Sequence, residues 1–477
     1  MAISATALVV WTRPLAIQCF SAALIFDNDQ VWNGPLDLEG HLMTVCFRWL
    51  RSALIVVATL SFSPAHAADP QQVLTQWYRL VLELVRHTPT YSPPVASRSF
   101  AYIGIAVWEV TASGTRGLQS LSGQLNAMPA PPARPEGSYD EAVVLQAALS
   151  AAVQDFFGNT GPTGQRAIAA MARTQHKIVV AGLAPDVVAR SEAYGKAVAA
   201  HVVAWSAGDG GALVENMGFP YEYTLQDGPA HWVSTSAIRQ QQVPLLPGWG
   251  KNRPLAMPSG ASCPLPAPPD YSEDPASAFY AEAKEVLDVA AALTDEQKLI
   301  ARFWSDDPML SPTPPGHWIS IALQILARDK AGIAASAEIL ARLGIAVSDS
   351  FIACWDSKYQ YDLLRPVTYI RRLMDPAFQP LLITPPFPEY PSGHSTQSGA
   401  AAAVLTEFFG QDFAFTDATH VDDGLPARDY PSFDAAASEA ALSRLYGGIH
   451  FRAAIDRGLD QGRCIGAYVA ALKMKDD

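Results

Sequence analysis

Apolar side chains recur at helical spacing along most of the chain. Val73, Leu74, Trp77, Leu80, Val81, Leu84 and Val85 follow the i, i+3, i+4 rhythm of a helix with one buried face. That stretch opens on Asp69-Pro70-Gln71-Gln72, with Asp as the cap and proline in the first turn, where its missing N–H costs nothing. Ala-rich helices are expected over 98–112, 139–157, 164–181 and 185–206. Further helices are expected over 275–291, over 295–305 behind the capping box Thr294-Asp295-Glu296-Gln297, and over 317–328, 331–343 and 346–358. Strand-like alternation is scarce. Residues 208–274 lose the rhythm and are rich in Gly, Pro and Trp, yet Trp232, Leu245, Leu246 and Trp249 predict a connection packed against the body. The pattern gives an all-α fold of two packed helix-bundle lobes, residues 68–255 and 256–477, with a boundary near 255–275.

One stretch departs from this pattern most sharply. Prolines 385, 386, 388 and 391 hold the chain extended up to Ser392-Gly393-His394, and a helix over 395–409 follows, closed by Gly410. A hydroxyl, a glycine amide and an imidazole therefore stand where a helix begins. Its unpaired N–H groups and positive dipole end favour an anion there.

Composition sharpens that reading. The 477 residues are 49% hydrophobic and 17% charged, with a net charge of −13, which argues against a nucleic-acid or anionic-membrane surface. A basic cluster in so acidic a chain calls for an explanation. Near the start, Arg48 and Arg51, the apolar run 53–62 and Ala65-His66-Ala67 have the layout of a signal peptide cleaved after Ala67, preceded by an extension of unassigned role. The mature chain is expected to begin at Ala68 and to be exported, periplasmic or secreted, and not membrane-embedded. Of five cysteines, Cys263, Cys354 and Cys464 remain, enough for at most one bridge, and no zinc-type spacing occurs. The acidic loop 417–429 has the wrong spacing for calcium and is expected to be solvated surface.

Three segments carry candidate chemistry. Lys358 and Arg365 lie seven residues apart, two turns on one helix face. Ser392-Gly393-His394 is the second. In the third, Gly447-Gly448 breaks a helix between Arg444 and His450 and lets the two converge. Each alone has an ordinary explanation: a solvated basic face, a common turn, a kink made for packing. Together, two guanidinium forks, an ammonium, a hydroxyl, an amide and two imidazoles suit a tetrahedral oxyanion. One histidine can engage its central atom while the other moves protons.

In order, Lys358-x6-Arg365-Pro366, Pro391-Ser392-Gly393-His394 and Ser443-Arg444-x5-His450 resemble the three-part signature of the superfamily that unites type 2 phosphatidic acid phosphatases, bacterial class A acid phosphatases and vanadium-dependent haloperoxidases. Within it the run from Pro385 to His394 is most similar to the haloperoxidases, of the soluble bacterial type, as is Ser92-Pro93-Pro94-x-Ala96-x-Arg98 with Tyr102. The resemblance implies vanadate as cofactor, with no haem, flavin or zinc. Lys358, Arg365, Ser392, Gly393 and Arg444 would hold its oxygens, His450 would bond the metal, and His394 would be the acid–base residue. Trp355 and Phe387 match halide-pocket positions. Asp306, or else Asp307, would pair with Arg444. Hydrogen peroxide, halide and a small organic acceptor would be the partners, and the helical faces would suit a homodimer. The phosphatase signature has an Asp four residues after the second histidine, and here that place is Ala454. An acid phosphatase with His450 as nucleophile is the alternative, and a non-catalytic phosphate- or vanadate-binding helical protein the second.

Overall fold

The computed structural model describes residues 68–214, 223–236 and 242–476. The expected signal peptide and its cleavage site lie outside these residues. Helix α1 (Pro70–Arg86) begins as its sequence dictates, with the Asp69 carboxylate accepting from Gln71 N at 2.9 Å. α2 (Pro93–Gly114), α3 (Glu141–Phe156), α4 (Pro162–Val179) and α5 (Pro185–Ser206) complete the first half. After the irregular connection come α6 (Ala278–Ala291), α7 (Asp295–Phe303), α8 (Thr313–Arg328), α9 (Ile333–Tyr361), α10 (Pro366–Leu373) and α11 (Gly393–Phe409). A two-stranded antiparallel hairpin, β1 (Phe415–Asp417) and β2 (Arg428–Tyr430), precedes α12 (Phe433–Tyr446) and α13 (Arg452–Ala470). The capping box at Thr294 is formed in both directions. No helix among the described residues is long and apolar enough to cross a membrane.

The hydrophobic core is continuous across residue 255. One cluster runs from Val73 and Trp77 on α1 through Trp249 and Leu255 to Met474, and from Ala68 onward the described residues form one compact unit. Trp232, Leu245, Leu246 and Trp249 are buried, so the connection is packed down as its apolar content predicts. A disulfide, Cys263–Cys464, ties it to α13, and Cys354 is a buried free thiol.

Two expectations are corrected. The helices expected over 331–343 and 346–358 are one 29-residue helix, α9. Gly344 does not break it; a Cβ there would meet Phe100 O at 2.8 Å and Ala101 Cα at 2.9 Å, so the residue serves a backbone-to-backbone crossing with α2. The loop 417–429 is not wholly solvated: Asp417 and His420 are buried, and Asp417 reaches His317 on α8.

The helix that starts the site and the helix that follows it pack through small residues. A Cβ on Gly462 of α13 would press on the Thr396 carbonyl and approach Ala400 N of α11 at 2.7 Å. Gly462→Val is therefore expected to lower stability by about 1–3 kcal/mol through overpacking. Thermal unfolding checks this, and a melting point unchanged from wild type would contradict it.

Candidate functional site

The run from Pro385 to Pro391 crosses the C-terminal end of α9, and its carbonyls collect the first cation. Lys358 Nζ donates to the carbonyls of Pro388 at 2.9 Å, Glu389 at 3.0 Å and Pro391. All three of its N–H groups are thus engaged, and Lys358 contributes charge to the site rather than a free donor. Arg365 does not share its helix face, as the seven-residue spacing had suggested. α9 ends at Tyr361, Asp362 turns left-handed at φ 45°, and Arg365 becomes the N-cap residue of α10. From there its Nε donates to Phe387 O at 2.9 Å and its Nη1 to Ile449 O at 3.0 Å.

Ser392 caps α11, its hydroxyl accepting from Ser395 N at 3.3 Å, so Gly393 and His394 form the first turn. Arg444 lies in the last turn of α12, with Nη1 donating to Trp304 O at 2.7 Å. Gly448, at φ +75°, then turns the chain, and His450 arrives just before Phe451, the N-cap residue of α13. The break thus brings Arg444 and His450 to one cavity, as expected.

That cavity has a volume of about 470 Å³. Gly393, His394, Arg444 and His450 line its inner end, and Phe351, Trp355 and Phe387 its wall. The Trp355 and Phe387 rings lie 4.9 Å apart, and Lys358 Nζ and the Arg365 guanidinium carbon each lie 5.1 Å from the Phe387 ring centre. Lys358, Arg365 and Ser392 are fully buried behind this surface.

Electrostatically the site is short of negative charge. Burial lowers Lys358 to about 7, with Arg365 adding to it, and lowers Arg365 to about 10, with Arg444 adding to it. Burial also lowers Arg444 to about 10, against the opposing fields of Asp307 and Asp306. Burial, then Arg444, lowers His394 to about 4, and His450 is held well below its usual range by burial, Arg365 and Lys358. Arg365 Nη2, Arg444 Nε and His394 Nε2 are buried without a hydrogen-bond partner. Buried polar atoms are rarely left so, and an anion among these donors would satisfy them and reverse the shifts.

The expected pairing of Asp306 with Arg444 is not formed. Asp306 turns instead into a buried histidine cluster, with Oδ1 2.9 Å from His317 Nδ1 and 3.4 Å from His420 Nε2, and Oδ2 3.5 Å from His394 Nε2. His317 Nε2 is in turn 2.8 Å from Asp417 Oδ2. Asp306 sits in left-handed backbone, φ 49°, and its carboxylate meets His317 of α8. Asp306 thereby supports His394, the acid–base candidate.

Glu389 was missed from sequence. It is fully buried, and its Oε1 lies 2.8 Å from His450 Nδ1. Burial pushes its carboxyl up to about 8. An acidic residue inside an otherwise apolar, proline-rich run was the available signal. His317, Asp417 and His420 carried none, because the contacts that join them span about a hundred residues.

Fold and site together define a helical-bundle protein with a cavity backed by buried cationic and histidine side chains. Residues 338–377 and 374–475 match the family model described as the VCPO second helical-bundle domain. The vanadium chloroperoxidase of Curvularia inaequalis is 27% identical over a 132-residue alignment that covers 22% of each chain, so the match spans about a fifth of that relative. The crystal structure of a bacterial vanadium-dependent iodoperoxidase superposes with a TM-score of 0.78 at 37% identity, covering 85% of this chain and 97% of that one. A bacterial vanadium-dependent chloroperoxidase in its apo form shares the fold, at a TM-score of 0.63 and 17% identity, covering 82% of this chain and 96% of that one. The chain belongs to the vanadium-dependent haloperoxidase family.

Proposed function

We propose that this chain oxidises halide with hydrogen peroxide to hypohalous acid, with vanadate as its cofactor. The observation that carries this is a set of buried polar atoms without a hydrogen-bond partner, Arg365 Nη2, Arg444 Nε and His394 Nε2, in the site that also holds His450. They fit a tetrahedral oxyanion, which Arg365, Ser392, Gly393 and Arg444 would hold, with Lys358 adding charge, while His450 bonds the central atom. When bound, vanadate supplies Lewis acidity toward peroxide without changing its oxidation state.

The chain's own residues do the rest. Lys358, Arg365 and Arg444 would balance the negative charge of the bound oxygens as preorganised, buried cations. His394 is neutral above about pH 4, so its ring can take a proton from hydrogen peroxide and return one to the departing oxygen. Asp306 orients that ring. The balance is one halide, one hydrogen peroxide and one proton in, one hypohalous acid and one water out; halide loses two electrons and peroxide gains them. Trp355 and Phe387 offer halide a weakly hydrated wall.

The similar crystal structure's title names an iodoperoxidase, so iodide is the first halide to test. The chain is proposed to act after export, and the Cys263–Cys464 bridge supports an oxidising compartment. Acid phosphatase is the second reading, favoured by one observation: Glu389 gives His450 the carboxylate that Ala454 does not. Iodide and bromide oxidation with vanadate and peroxide, run beside hydrolysis of a nitrophenyl phosphate without vanadate, separates the two. Vanadate-dependent halide oxidation is expected; phosphate release with no halide oxidation would move the protein to the phosphatase branch.

A further inference from the structure

Glu389 is held from every side. Its peptide N–H donates to Leu363 O at 2.9 Å, and its carbonyl accepts from Lys358 Nζ at 3.0 Å. The side chain is fully buried, and Oε1 accepts from Phe451 N at 2.8 Å and lies 2.8 Å from His450 Nδ1. An oxygen that accepts the Phe451 N–H is placed to accept from Nδ1 as well.

The other side of the ring agrees independently. Arg365 Nη1 lies 3.1 Å from His450 Nε2, and a guanidinium can only donate, so Nε2 carries the lone pair. An acid at the place four residues on is absent: Ala454 is buried, and its carbonyl accepts from Ser392 N at 3.0 Å. Glu389, inside the proline-rich run, stands in its place.

We propose that Glu389 is the positioning residue of His450: its Oε1 fixes the ring's tautomer and direction, so that Nε2 presents its lone pair to the central atom of a bound tetrahedral oxyanion. The inference rests on the oxyanion-site reading above. It extends to phosphate as well as vanadate, because the lone pair is prepared before any anion arrives.

Two variants separate a positioning role from a merely structural one. Glu389→Gln keeps a carbonyl oxygen at Oε1 for both donors, whereas Glu389→Ala keeps none. The first readout is the ring ¹⁵N spectrum of histidine-labelled, anion-free protein, with the His450 signal assigned by its loss in His450→Gln. The second is the affinity for inorganic phosphate and for orthovanadate by calorimetry. Wild type and Glu389→Gln are expected to show the Nδ1–H form and affinities within about threefold of each other. Glu389→Ala is expected to lose the single tautomer and to bind both anions about 10–100-fold more weakly, the usual effect of removing such a support. An unchanged tautomer and affinity in Glu389→Ala would overturn the proposal, and so would a Glu389→Gln that behaves like Glu389→Ala. Should Glu389→Ala not fold, loss of the tautomer or of anion affinity in Glu389→Gln overturns it and their retention supports it. Neither readout involves peroxide or halide, so failure of the halide-oxidation assay leaves this test standing.

Discussion

His317→Ala is expected to lower stability by about 3–5 kcal/mol, the cost of breaking a buried ion pair from one side. Asp306 and Asp417 grip the two ring nitrogens at 2.9 and 2.8 Å, and all three side chains are buried, so the variant leaves two uncompensated carboxylates. The pH dependence carries the sign. Burial alone would lower His317, but Asp306 and Asp417 outweigh it and raise the ring to about 10. Its contribution is complete below the unfolded value of about 6.5 and is lost as pH rises through about 10. Asp306 and Asp417 are themselves held below the usual carboxylate range, against burial, chiefly by His317. Their share is present above about pH 4 and fades as pH falls further. Urea unfolding at pH 6 and pH 9.5 checks this: wild type should lose stability between the two and His317→Ala should lose much less. Equal losses would contradict the assignment. Asp306 also supports His394, so halide oxidation should fall with the variant even where it remains folded.

His450→Ala should reduce vanadate-dependent halide oxidation to the level of protein without vanadate. His394 lines the same cavity but meets Asp306, and His317 and His420 are held by Asp417 and Asp423. The same change leaves Glu389 buried with one donor fewer, which costs about 1–3 kcal/mol. A modest drop in melting temperature should therefore accompany complete loss of turnover. Activity retained in a folded His450→Ala would remove this residue from the centre of the mechanism.

What was legible in the sequence was local. The helix over 185–206 has the bounds its pattern predicts, and the Thr294 capping box forms, because caps and periodicity act within a few residues. The three signature segments do meet at one cavity. Their supporting pairs were not legible. Glu389 meets His450 across 61 residues and His317 meets Asp417 across 100, distances at which no spacing rule operates. The face shared by Lys358 and Arg365 failed for a local reason, the left-handed Asp362 that ends α9. A turn of this kind is seldom adopted outside glycine, so the pattern read straight through it.

The central claim is a single oxyanion site assembled from Arg365, Arg444, His394 and His450. Equilibrium titration of the anion-free protein with orthovanadate tests it most directly, followed by back-titration with inorganic phosphate. One vanadate per chain is expected, displaced competitively by phosphate and bound with uptake of protons at pH 7, since the anion relieves the cationic crowding that burial imposes on Lys358 and His394. Binding that phosphate does not displace, or that survives unchanged in Arg444→Ala, would contradict it.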